Sequence, residues 1–179
     1  MNSVDPAGPR VIVSLRHTDA VYGVDRASGR IAWKLGGTET ARSLDVRGQG
    51  SDTPLGGQHD ARLLPDGTLT AFDNGTLLDR RPRAVRFRLD LRRRTATLVE
   101  TVEDRAAPES FCCGSARRGA NGSWLVSWGG LPLVSEVGKD GRTNFRLRFA
   151  DRFSYRAVAI GGRRLRVADL RRAMDRMRG

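Results

Sequence analysis

A threefold repeat constrains this chain more than any other feature. The first copy runs Val11-Ile12-Val13-Ser14-Leu15-Arg16, then Ala20-Val21-Tyr22-Gly23-Val24-Asp25, a turn at Ser28-Gly29, and Ile31-Ala32-Trp33-Lys34-Leu35. The second runs Gly67 to Phe72, Ala84 to Leu91, a basic turn, and Thr95 to Val99. The third runs Gly122 to Trp128, Val134 to Val137, a turn at Asp140-Gly141, and Thr143 to Phe149. Ser14, Phe72 and Ser127 fall at equivalent places, 58 residues apart and then 55. Each copy reads strand, strand, turn, strand. The strands alternate with period two: Val85, Phe87, Leu89 and Leu91 are interleaved with Arg86, Arg88, Asp90 and Arg92, and Phe145, Leu147 and Phe149 with Arg146 and Arg148. Such strands carry one apolar and one wet face, as in an antiparallel sheet. The Asp66-Gly67, Asn121-Gly122 and Asp140-Gly141 turns supply the positive φ that hairpins need.

A period of this length with several antiparallel strands predicts blades of a β-propeller. Propellers close with about 4–8 blades. Three copies therefore predict an all-β partial propeller of about three antiparallel blades, completed by a missing N-terminal half or by a second copy of the chain. A sandwich of about nine strands is the competing arrangement, but nothing in a sandwich requires so long a period. Beyond residue 160 the pattern changes. Val167, Leu170, Met174 and Met177 recur at helical spacing among Arg171, Arg172, Arg176 and Arg178, which predicts a short amphipathic helix packed on the sheet edge. Residues 1–160 read as blades and 161–179 as a helical tail. No apolar run approaches the roughly 20 residues of a membrane helix, and Met1 to Pro6 shows no signal-peptide pattern.

The net charge is +12, and among the 32 basic residues only Lys34 and Lys139 are lysines. Arginine grips planar oxyanions at two points where lysine acts as a point charge. Most of these arginines alternate along strands, as solvated faces do. They are not interleaved with stacking aromatics, so no specific nucleic-acid partner is expected.

Several chemistries lack their motifs. There is no Gly-x4-Gly-Lys-Ser/Thr loop, no Gly-x-Gly-x-x-Gly after a strand, no His-Glu-x-x-His and no Gly-x-Ser-x-Gly. Two cysteines and two histidines make no zinc site. Neither a metal nor a cofactor is expected. Cys112-Cys113 are adjacent and read either as a strained ring or as two thiols. His59 lies in Gly56-Gly57-Gln58-His59-Asp60-Ala61-Arg62, just before the first strand of the second copy, where a propeller blade enters its central channel. Asp73-Asn74-Gly75 ends that strand, followed by Arg80, Arg81 and Arg83. One turn region thus gathers a nucleophile or acid–base candidate with several anion binders. His17, beside Asp19, follows a strand at the opposite end and also has a structural reading.

Asn2-Ser3-Val4-Asp5-Pro6, Ser14 to Tyr22, Trp33-Lys34-Leu35-Gly36-Gly37, Gly57 to Gly67, Phe72-Asp73-Asn74-Gly75, Cys112 to Arg117, Ser127 to Gly130 and Ser154-Tyr155-Arg156-Ala157 occur in order along the chain. In these segments the sequence resembles the bacterial aryl sulfotransferases, most closely their actinobacterial branch. The resemblance implies a six-bladed propeller, usually exported. It implies transfer of a sulfo group from a phenolic sulfate ester to a phenol acceptor through a sulfohistidine, in ping-pong fashion, without a nucleotide cofactor. It makes His59 a channel histidine and Arg80 the sulfo-binding arginine, with Arg81 and Arg83 as alternatives. Asn74, Asn2 and His17 complete the implied substrate contacts. Two departures stand out. The channel histidine that precedes the Asn-Ser element in the family has no counterpart here, and no histidine follows His59. The sequence therefore also admits a chain without turnover, a propeller-derived module that binds an anionic aromatic ligand or a partner protein.

Overall fold

The computed structural model describes residues 1–49, 53–160 and 166–177. The chain forms three sheets in sequence order. The first is a four-stranded antiparallel meander of β1 (Ser3–Ala7), β2 (Arg10–Leu15), β3 (Ala20–Asp25) and β4 (Ile31–Gly36). The second joins β6 (His59–Leu63), β7 (Thr68–Asp73), β8 (Arg83–Asp90) and β9 (Thr95–Val102), with the short β5 (Asp45–Arg47) added parallel to β9. The third consists of β10 (Ser115–Arg118), β11 (Trp124–Ser127), β12 (Leu133–Val137) and β13 (Thr143–Arg148). This is the partial propeller-like arrangement that the repeat predicts, with one sheet per copy and, among the described residues, no closed barrel.

The pairing register carries the repeat into three dimensions. Ser3 pairs with Ser14, His59 with Phe72 and Ser115 with Ser127. The three residues matched by sequence therefore sit opposite the first residue of each leading strand. The alternation predicts β2, β3, β4, β7, β8, β9, β11, β12 and β13, but it does not reveal β1, β6 and β10. These leading strands meet at the inner edge of the arc, β1 against β6 and β6 against β10. Their sequences, such as His59-Asp60-Ala61-Arg62-Leu63, are too polar to alternate.

Two cores lie between the sheets. Ile12, Val21, Trp33 and Leu35 of the first sheet pack on Ala61, Leu69, Val85 and Phe87 of the second. Phe72 and Ala84 pack on Ala116, Trp124, Val126 and Trp128 of the third, with the Phe72 and Trp128 rings edge to face at 6.0 Å. Each sheet thus buries apolar surface against its neighbour, the dominant stabilising term. Strand β13 differs from expectation: Phe145 and Leu147 are exposed, as is every residue of that strand.

The tail also departs from expectation. Helix α1 (Val167–Arg176) forms where predicted, but Val167, Leu170, Met174 and Met177 are all exposed and no residue of the helix is buried. The segment that reaches the sheet is instead Ser154 to Ala157. Ser127 Oγ donates to the Ser154 carbonyl (2.7 Å), the Gly114 amide to the Tyr155 carbonyl (3.0 Å), and the Ala157 amide to Ser115 Oγ (2.9 Å). No helix among the described residues is long and apolar enough to cross a membrane.

Candidate active site

The site is built on β6, the leading strand of the central sheet. His59 is buried at the start of this strand. Its Nδ1 lies 2.8 Å from Asn74 Oδ1 and 2.9 Å from the Gly57 carbonyl oxygen. Both neighbours only accept, so Nδ1 carries the hydrogen and donates. Nε2 is left with its lone pair. Burial pushes the His59 pKa below its ordinary value, opposing the Asn74 and Gly57 hydrogen bonds and aided by the Arg16 and Arg156 charges. The ring is therefore neutral at pH 7.

Asn74 is fixed in turn. Its Nδ2 donates to Ser110 Oγ (2.8 Å) and to the Cys113 carbonyl (3.0 Å), and Ser110 donates to the Gly129 carbonyl (2.7 Å). The amide can present only Oδ1 to His59. Gly57 must be glycine: its φ is +64, and a Cβ there would lie 2.4 Å from Thr76 Oγ1. Asn2 Nδ2 donates to the Gln58 carbonyl (2.7 Å), which ties β1 to the residue before His59. Gln58 reaches back through Nε2 to the Ala20 carbonyl (2.9 Å).

The arginines after Asn74 have other tasks. Asp73 Oδ2 accepts from Arg80 Nη2 (2.8 Å) and Arg83 Nε (2.9 Å), while Asp73 Oδ1 accepts from the Gly56 amide (2.8 Å). Arg80 also donates to the Thr53 carbonyl (2.7 Å) and Arg83 to Gln49 (2.7 Å). Both clamp the loop that delivers His59. Arg81 is exposed. With Asn74, Leu78, Arg80, Ser110 and Phe111, it lines a cavity of about 490 Å³. His17 is exposed on the single 3₁₀ turn Arg16–Thr18. Its neighbour Arg16 is the residue directed toward the site, donating from Nη2 to the Phe111 carbonyl (2.8 Å).

Two groups near His59 lie in segments that resemble the family, yet the resemblance assigns them no role. Asp60 is fully buried with φ +54, at a bulge between His59 and Arg62. It accepts from Arg117 Nη2 (2.8 Å), and Arg117 Nε approaches its other oxygen to 2.7 Å without the alignment of a hydrogen bond. Arg62 and Arg156 stand at 3.4 and 3.7 Å. Burial pushes the Asp60 pKa up against the pull of Arg117, Arg62 and Arg156. Arg156 is the second unexpected group. Only backbone tracing places residues so distant in sequence together. Cys112 and Cys113 are free thiols, and burial with the neighbouring Cys112 pushes the Cys113 thiol up to about 12. Among the described residues, no group of three or more His, Cys, Asp and Glu is placed to hold a metal ion.

The site thus holds a neutral histidine whose Nε2 keeps its lone pair, with the charges of Arg16 and Arg156 nearby, at the meeting edge of propeller-like sheets. The chain belongs to the arylsulfotransferase (ASST) family, whose model matches residues 1–150. Among solved structures it is similar to a protein of unknown function from Bacteroides caccae, at 14% identity and a TM-score of 0.47. That likeness covers 83% of this chain and 46% of the other, so the chain spans about half the length of that structure. A search of curated proteins returns no significant match.

Proposed function

We propose that His59 accepts a sulfo group from a phenolic sulfate ester and passes it to a phenol. The observation that carries this reading is the pairing of Nδ1 with two acceptors, Asn74 Oδ1 and the Gly57 carbonyl. The Nε2 lone pair attacks sulfur, and the bond from sulfur to the aryl oxygen breaks with its electron pair leaving on the phenolate. The ring then bears a positive charge, which the Nδ1–H bonds stabilise. In the second half, an acceptor phenol that has given its proton, through water, to the released phenolate attacks sulfur, and the N–S electron pair returns to Nε2. The ring needs no change of protonation in either half.

Arg16 contributes positive charge beside the reacting sulfuryl oxygens, consistent with its effect on His59. Arg80 and Arg83 act through Asp73 by holding the loop, and Asn74 acts through His59. The cavity beside Asn74, lined by Leu78, Arg81 and Phe111, has the size of a small-aromatic pocket and takes the aryl group. Asn2 sets the height of Gln58 and hence of His59.

The test is incubation of the chain with 4-nitrophenyl sulfate, followed by peptide mass analysis under conditions that preserve N-sulfo bonds. One sulfo group should appear on the His59 peptide, and none in His59→Gln. Nitrophenol release that persists in His59→Gln would overturn the assignment. Binding of the ester without label would leave an anion-binding module.

A further inference from the structure

We propose that Arg156 is a sulfate-ester-binding residue, delivered to His59 by the strap Ser154 to Ala157. This rests on the reading of His59 as the sulfo acceptor. The strap lies beyond residues 1–150, the part the family model matches, although its sequence is among the segments that resemble the family, where the resemblance assigns it no role.

The strap is built to hold one position. Ser115 and Ser127 are fully buried, and they fix the strap on both sides of Arg156 through Ala157 and Ser154. Gly114 is pressed against the sheet, where a Cβ would lie 2.3 Å from the Phe72 ring, and its amide donates to the Tyr155 carbonyl at 3.0 Å. This anchoring carries the Arg156 side chain to the inner edge, beside Asn2 and Asp60.

Arg156 arrives without a committed partner. Its Nε stands 3.7 Å from Asp60 Oδ1 and its Nη2 3.5 Å from the Asn2 carbonyl, both long for hydrogen bonds. The side chain keeps 33% of its surface exposed. The other arginines at this edge are spoken for: Arg62 holds Asp5 at 2.9 Å and Arg117 holds Asp60 at 2.8 Å. A guanidinium offers five donors in a planar fork that fits two sulfuryl oxygens. Arg156, like Arg16, is therefore a cation with donors left for an arriving anion, and its charge already bears on His59. The Tyr155 ring, 5.8 Å from the guanidinium carbon, steadies it from the strap itself.

The test compares the 179-residue chain with Arg156→Gln and Arg156→Lys. Calorimetry measures the Kd for 4-nitrophenyl sulfate and for 4-nitrophenol, and NMR follows the His59 ring through a pH titration. Loss of a charge-assisted hydrogen bond should weaken ester binding roughly tenfold in Arg156→Gln, with binding of the neutral phenol unchanged. Removing the cation should also raise the His59 pKa, which a purely structural strap residue would not do. Arg156→Lys keeps the charge and should keep the low His59 pKa while losing part of the affinity, which separates charge from folding. Unchanged ester affinity in Arg156→Gln, with wild-type binding intact, overturns this assignment alone. Absence of ester binding by the wild-type chain overturns the His59 reading and this one together.

Discussion

Replacing Asn74 by alanine isolates the device that keeps His59 in one tautomer. Asn74 is nearly fully buried, so its three hydrogen bonds cannot be exchanged for bonds to bulk water. The consequences for the partners differ. His59 Nδ1 keeps the Gly57 carbonyl at 2.9 Å and Ser110 keeps the Gly129 carbonyl at 2.7 Å. Each of these groups loses about 0.5–1.5 kcal/mol. The Cys113 carbonyl loses its side-chain donor, a cost of about 1–3 kcal/mol for a buried acceptor. Together these give a destabilisation of about 4 kcal/mol, which lowers Tm by roughly 8–16 °C in a domain of this size. Circular dichroism on heating reads this number. The ring, held at one point instead of two, should also accept the sulfo group on the order of tenfold to a hundredfold more slowly. A Tm shift below about 2 °C would refute the accounting. Nitrogen chemical shifts showing the hydrogen on Nε2 of the wild-type ring would refute the tautomer, and with it the nucleophile.

Asp73→Ala leaves two partly buried guanidinium groups without their shared carboxylate, and urea unfolding should show a loss of about 3–5 kcal/mol. The exposed Arg81→Ala should stay within about 0.5 kcal/mol of the wild type. The His59 ring makes stability depend on pH in a definite direction. Its folded pKa lies below the ordinary 6.5, so in that window the unfolded chain binds the extra proton. Its contribution is complete above about pH 6.5 and is lost as pH falls toward the folded value. Urea midpoints measured between about pH 7.5 and about pH 5 should therefore fall less steeply in His59→Gln than in the wild type; equal slopes would contradict the burial argument.

The strands that bury an apolar face were legible because alternation is imposed by the pleat and by a core on one side. Val85 and Phe87 against Arg86 and Arg88 is such a case. The inner strands were illegible for the opposite reason. Ser3 to Ala7, His59 to Leu63 and Ser115 to Arg118 face one another and carry charges, so their pattern reflects polar pairing and not a core. His59 was found because it lies just ahead of the legible strand Gly67 to Phe72, although the strand it begins, β6, was not foreseen. Its partner Asn74 lay in a visible turn motif, but nothing local distinguished a residue that touches substrate from one that holds the histidine. Arg80 and Arg83 looked free because the carboxylate that holds them, Asp73, lies 7 and 10 residues away across a loop and a strand pairing. Arg156 stood in a segment already noted, Ser154-Tyr155-Arg156-Ala157, but its place beside His59 was not legible because it depends on anchoring by Ser115 and Ser127, far from it in sequence.

The bulge in β6 links the fold to the preference for an anion. Asp5 pairs with Ile12, Arg62 with Thr70 and Arg117 with Leu125, equivalent positions in the three sheets. A regular β6 starting from His59 opposite Phe72 would place Ala61 opposite Thr70 and send Arg62 to the other face. The extra residue returns Arg62 to the row, where it reaches Asp5. That extra residue is Asp60, turned by its positive φ into Arg117, Arg62 and Arg156. The row then sets two carboxylates, Asp5 and Asp60, against three guanidinium groups. Two of these are paired at hydrogen-bond distance and Arg156 is not, so this row leaves one positive charge over beside a neutral His59, in addition to that of Arg16. On the reading of His59 as sulfo acceptor, an anionic ester fits this balance better than a neutral phenol, because its charge completes the pairing that Asp60 alone cannot supply.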